Sequence, residues 1–164
     1  MGMSREPARR RRGPPASARP PLVPRSGRTS PAATQIAGYI ADGCALIAFF
    51  ALADPYRAMP SAAPIMRSQP VRISPITIWE ITRKFAIGKL APMWTPYASL
   101  SQLLHAQMFT VQPFGWDEAE AANQLPHHHK DPMDPILIAT ALMHNLAVLT
   151  HDQLFAPYGV RTVW

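Results

Sequence analysis

The stretch DPMDPILIATALMHNLAVLTHD, residues 131–152, decides the reading of the fold. It begins with two carboxylates three residues apart, each locked before a proline. The apolar run at 135–145 then reads as a buried helix, and LAVLT (146–150) as a buried strand with Asp152 just beyond it. Outward from this unit the alternation recurs. AGYIA (37–41) and VRI (71–73) read as strands and CALIAFFALA (44–53) as a short apolar helix ended by Asp54-Pro55. PITIWEITRKFAIG (75–88) reads as a helix with Ser74 as N-cap, Pro75 at its first position and Gly88 at its end. Residues 61–68 form a weak helix at best, 97–107 and 116–125 read as helices, and 109–113 and 160–164 as strands. Strands alternating with helices at this spacing need crossover connections, which predicts an α/β fold with a parallel sheet covered on both faces.

The chain has 164 residues, room for one domain with a proper core. Its formal charge is +6, yet residues 1–35 hold eight Arg against Glu6 and so carry +7, leaving −1 for residues 36–164. The basic balance belongs to the first segment, and no strongly basic folded surface follows from it. Residues 1–35, rich in Arg, Pro, Ser and Ala, hold too few aliphatic side chains to join a core and read as a disordered tail, with the folded domain at 36–164. An incidental extension or a start placed too far upstream is favoured over an electrostatic arm for nucleic acid. A single cysteine, Cys44, excludes an intrachain disulfide and a cysteine zinc cluster and fits a reducing cytoplasm. Basic residues followed by IAGYIADGCALIAFFALA (36–53) imitate a secretory signal, but Asp42 within the apolar run argues against both export and a membrane span.

In open α/β sheets the site lies outside the carboxyl ends of the strands. Asp42 directly follows AGYIA, Asp152 follows LAVLT by one residue, Asp134 starts the helix before that strand, and Glu80 lies about a turn and a half into the helix from Pro75. Any one of these alone reads as a turn residue, a cap or a solvated position. Four together point to a shared cation, because clustered carboxylates repel unless a cation offsets them. All-oxygen ligation suits Mg²⁺ or Mn²⁺, which act on phosphodiesters. The chain has no GxSxG, GxxxxGK[ST], HExxH or GxGxxG motif, and a haloacid-dehalogenase-type phosphatase would want Asp where Cys44 stands. Histidines 127–129 read as solvated or backbone-positioning rather than as ligands. Pro135 biases its predecessor away from helical geometry, so Asp134 is expected at the N-cap, with Pro132 holding Asp131 off the rim.

SPITIWEI (74–81) with Lys84 and Gly88-Lys89-Leu90, then HHHKDPMDPILIATAL, then LAVLTHDQLF and YGVRTVW, resemble the PIN-domain ribonucleases of the VapC toxin type, over roughly residues 37–164. The resemblance implies a three-layer α/β/α fold, magnesium-dependent cleavage of RNA, and a toxin held in check by a cognate antitoxin protein. Carried over by position, the family's acids fall on Asp42, Glu80, Asp134 and Asp152, and its hydroxyl on Thr150. Asp131 matches a recurrent acid that does not bind metal. Where the family has Thr or Ser then His after the first Asp, this chain has Gly43 and Cys44, and Pro135 stands where a basic residue is common.

The expected function is a cytoplasmic Mg²⁺-dependent endoribonuclease, the toxin of a toxin–antitoxin pair, assembling as a homodimer and making no membrane contact. Asp42, Glu80, Asp134 and Asp152 would bind metal, and Arg83, Lys84 and Lys89 are candidate phosphate contacts. The rivals are a catalytically lapsed PIN fold that only binds RNA or a protein, and a DNA-directed nuclease.

Overall fold

The computed structural model describes residues 35–52, 54–128 and 131–164. The expectation for the tail therefore falls, but for Gln35, outside the described residues.

Among the described residues five strands form one sheet in the order β3-β2-β1-β4-β5, every pair parallel. They are β1 (Gly38–Ala41), β2 (Val71–Ile73), β3 (Thr110–Val111), β4 (Leu146–Leu149) and β5 (Thr162–Val163). Side chains alternate between the faces of a strand. Ile40 and Val148 accordingly join one core with Leu137, Ile138 and Phe155, while Ala41 and Leu149 join the other with Leu46, Phe49, Ile81 and Leu104. Burial on both faces explains why β4 reads as an unbroken apolar run. The layers are α/β/α, as expected.

The helices are α1 (Gly43–Ala51), α2 (Pro55–Ala58), α3 (Ala62–Ser68), α4 (Pro75–Ala86), α5 (Leu100–Ala106), α6 (Trp116–Ala122) and α7 (Asp134–Met143), with a 3₁₀ segment at Gln153–Tyr158. Residues 62–68 are helical: Pro64 falls in the first turn, where its missing N–H costs nothing, and Ala62, Ala63 and Met66 are buried in the core. The helix expected at 97–107 starts later, where the Ser99 hydroxyl caps the Gln102 N–H.

Two local devices position the site. At its start, α4 is capped by Ser74 as expected, and the buried Thr77 hydroxyl donates to the Ala41 carbonyl at 3.4 Å, pinning the helix over the end of β1. At its end, Gly88 takes φ +72°, the Gly88 N–H reaches the Phe85 carbonyl and the Lys89 N–H reaches that of Lys84. This paired closure folds Lys89 back beside the last turn. On the other face, Glu118 accepts from Gly115 N–H at 2.7 Å and pairs with His144 at 2.8 Å, joining α6 to α7; the His144 bond, then the Gly115 bond, holds the Glu118 carboxyl below its ordinary range. Among the described residues no helix is long and apolar enough to cross a membrane.

Candidate active site

The carboxyl ends of β1 and β4 lie side by side, Ala41 opposite Leu149, and an aspartate follows each. Asp42 is 6% exposed and accepts the Ala45 N–H at 2.7 Å, capping α1. The buried Thr150 hydroxyl hydrogen-bonds Asp42 and accepts the Asp152 N–H at 3.0 Å, so one hydroxyl links two rim acids. Asp152 also caps the 3₁₀ segment through Leu154 N–H at 2.8 Å. Burial above all pushes the Asp42 carboxyl up to about 6; the Thr150 and Ala45 hydrogen bonds pull it down, the Glu80 charge raises it and His151 lowers it.

Glu80 reaches the same rim from α4. Its carboxylate lies against Gly43, where an added Cβ would stand 2.6 Å from Glu80 Oε2. Lys84, one turn on, forms an ion pair with Glu80 Oε1. Burial alone would lower the Lys84 ammonium, but the bond to Glu80 and the neighbouring acids outweigh it and raise it. Burial, with the Asp42 charge, pushes the Cys44 thiol up to about 11, which keeps it neutral at the position where the resemblance has histidine.

Two expectations need correction. Asp134 is not the N-cap of α7 but its first residue: Met133, with φ −85° and ψ −34°, is the cap and offers no side-chain bond, while the Leu137 N–H reaches the Met133 carbonyl. Pro135 then falls at the second helical position, where a missing N–H costs nothing because the first four have no intrahelical partner. Nor is Asp131 held off the rim. Its Oδ1 accepts the Met133 N–H at 2.9 Å, and this turn folds it back to line the same cavity as the other acids.

That cavity, about 220 Å³, is lined by Asp42, Glu80, Asp131, Asp134 and Asp152, together with Gly43 and Cys44. The four acids expected to converge are thus brought together, with a fifth. Thr150 stands behind them. They ring the space rather than meeting at a point: among the described residues no three His, Cys, Asp or Glu side chains are placed to hold a metal ion as they stand. The donor set still fits a hard cation, since it offers carboxylate oxygens and burial holds Asp42 at a proton affinity that added positive charge would relieve.

A second hollow of about 350 Å³ shares Glu80, Asp131 and Met133 with the cavity and carries Arg83, Lys84 and Lys89. The three candidate phosphate contacts therefore line one groove. His127 and His128 are not among the cavity's lining residues: His127 lines a separate hollow, and His128 packs edge-on against Tyr158 at 5.3 Å. His129 lies outside the described residues. Sequence reasoning missed Gly43 as the seat of Glu80 and His151 as a neighbour of Asp42. Gly43 gave no signal because the group that needs its space comes from a helix 37 residues away; His151, between Thr150 and Asp152, was legible by adjacency.

The PIN domain family model matches residues 39–160. No curated protein matches the chain. Among solved structures, FitAcB from Neisseria gonorrhoeae is similar at TM-score 0.58 and 19% identity, over 77% of this chain and 96% of that one. A structure of FitAB bound to an IR36 DNA fragment is similar at TM-score 0.54 and 17% identity, over 76% and 92%. VapBC2 from Rickettsia felis, bound to a DNA fragment from their promoter, is similar at TM-score 0.54 and 12% identity, over 76% and 96%. At such identities the likeness is one of fold. With a parallel five-stranded sheet, acids gathered where its central strands end and a family match across most of its length, the chain belongs to the PIN domain family.

Proposed function

We propose that this chain is a Mg²⁺- or Mn²⁺-dependent endoribonuclease and the toxin of a toxin–antitoxin pair. The observation that carries the reading is the cavity at the strand ends lined by Asp42, Glu80, Asp134 and Asp152 from four separate segments. These four would hold the cation, with Glu80 exchanging its Lys84 partner for it. Bound there, a divalent ion supplies Lewis-acid polarisation of a phosphodiester and acidifies an attacking water. Thr150 orients Asp42 and the backbone of Asp152. Asp131 supports the loop through Met133 N–H, and Arg83, Lys84 and Lys89 receive phosphates in the adjoining groove.

The resemblance to VapC toxins, and the shared fold with the FitAB and VapBC2 complexes, support an antitoxin protein as partner; we propose a homodimer as the assembly. Purified full-length chain should cut an RNA oligonucleotide in Mg²⁺, not in excess EDTA, and leave the matching DNA intact; expression should arrest growth, relieved by the neighbouring open reading frame. Equal cleavage in EDTA would falsify the metal mechanism, and preferential cleavage of DNA would overturn the substrate.

A further inference from the structure

The groove beside the acid cavity has an aromatic wall that the proposed function leaves unused. Trp79 is 47% exposed on α4, although Thr77 and Ile81 on either side of it are buried. Trp79, Arg83 and Ile87 follow one another at four-residue spacing, and with Glu80 and Lys84 they form one face of the helix along the groove. Asp131, Pro132 and Met133 form the facing wall. The Arg83 guanidinium lies over the indole, 5.4 Å from the ring centroid, which restrains the ring. Lys89 is brought to the same groove by the closure at Gly88.

We propose that this groove is a subsite for an unpaired nucleotide next to the scissile phosphate, with Trp79 as the platform on which its base stacks. An exposed indole flanked by cations fits a single strand, whose bases offer flat faces and whose phosphates carry negative charge. Because the groove and cavity share Glu80, Asp131 and Met133, a strand with one phosphate over the acids lays the adjoining nucleotide along α4. A base must leave its own helix to stack there, so the substrate is single-stranded at that position, with little preference for base identity. The inference rests on the reading of the site as a ribonuclease, but its test reads binding rather than cleavage.

Full-length Asp42→Asn chain, its folding checked by thermal melting, is titrated with a fluorescent hexaribonucleotide and with hexamers each lacking one base. Arginines 5–28 meet phosphates whether or not a base is present, so dependence on the base isolates the platform. Adding Trp79→Ala should weaken binding of the intact hexamer about tenfold, the size of one lost stack. Trp79→Tyr should keep most of the affinity. One abasic position should cost the Asp42→Asn chain the same factor and cost the Trp79→Ala form nothing further. Unchanged affinity on Trp79→Ala, losses that simply add, or failure to bind RNA at all would overturn the subsite. So would loss only of protein-partner binding, which would make this face a protein interface. If the base-dependent binding behaves as expected while the unmutated chain cuts no RNA in any divalent ion, the nuclease reading fails and the groove stands as a single-strand binding site without a scissile phosphate beside it.

Discussion

Two hollows of nearly equal size flank α4, and their linings are opposites. The cavity at the ends of β1 and β4 measures about 220 Å³ and is ringed by carboxylates. The other, about 230 Å³ beside the edge strand β3, is lined by Ile73, Ile78, Leu104, Phe109 and Val111. The difference comes from position in the sheet. Central strands end among loops that must turn, and aspartates are well suited to turning them. The edge strand meets two helices that present apolar faces. Volume therefore does not identify a site here; the convergence of charge from separate segments does.

The largest effect that tests this contrast is Asp42→Asn. It should reduce RNA cleavage more than about a hundredfold, since even losing a ligand's supporting partner can cost that much in metal affinity or activity. Its effect on stability runs the other way. Folded Asp42 holds its proton to about pH 6, against an ordinary 3.8, so the folded chain carries the extra proton between those values. Metal-free stability should fall as pH rises through that window, by at most about 3 kcal/mol. Asp42→Asn, which keeps an oxygen for the Ala45 cap, should flatten that slope and melt higher at pH 7. A slope unchanged by the substitution, measured by denaturant titration from pH 4 to 7, would assign it to other groups.

Gly43→Ser comes next. Its Cβ and hydroxyl would displace the Glu80 carboxylate, which lies at the end of a flexible side chain, so the fold should survive while Mn²⁺ affinity drops about tenfold by calorimetry. Unchanged affinity would show that Glu80 does not need that seat. The smallest effect is expected at the apolar hollow. Ser101→Leu should extend its greasy wall, change cleavage less than about twofold and add at most about 1 kcal/mol of stability. A tenfold fall in cleavage would make the hollow part of the substrate path and break the contrast.

Much of this was legible from local rules. The helix of residues 75–88 carries its own punctuation in Ser74, Pro75 and Gly88, and the structure uses all three. Asp42 and Asp152 were legible because strand ends in a parallel sheet must share a rim, and Glu80 and Asp134 because each lies in the first turns of a helix. Asp134 was misplaced by one position because a proline's steric bias is weaker than the free choice of where a helix begins when no N–H is lost. Asp131 was misplaced because a two-residue turn, closed through the Met133 N–H, reversed its direction.

Periodicity and residues acting on near neighbours set the order of strands and helices along the chain, the apolar faces that bury the sheet and the aspartates beside its strand ends. The Glu80–Lys84 pair follows from four-residue spacing within one helix, whereas tertiary packing alone placed Glu80 on the bare backbone of Gly43 and opened the Trp79 groove into the acid cavity. Those relations depend on how α4 is pinned to the end of β1 through Thr77, a contact across 36 residues that no local pattern encodes.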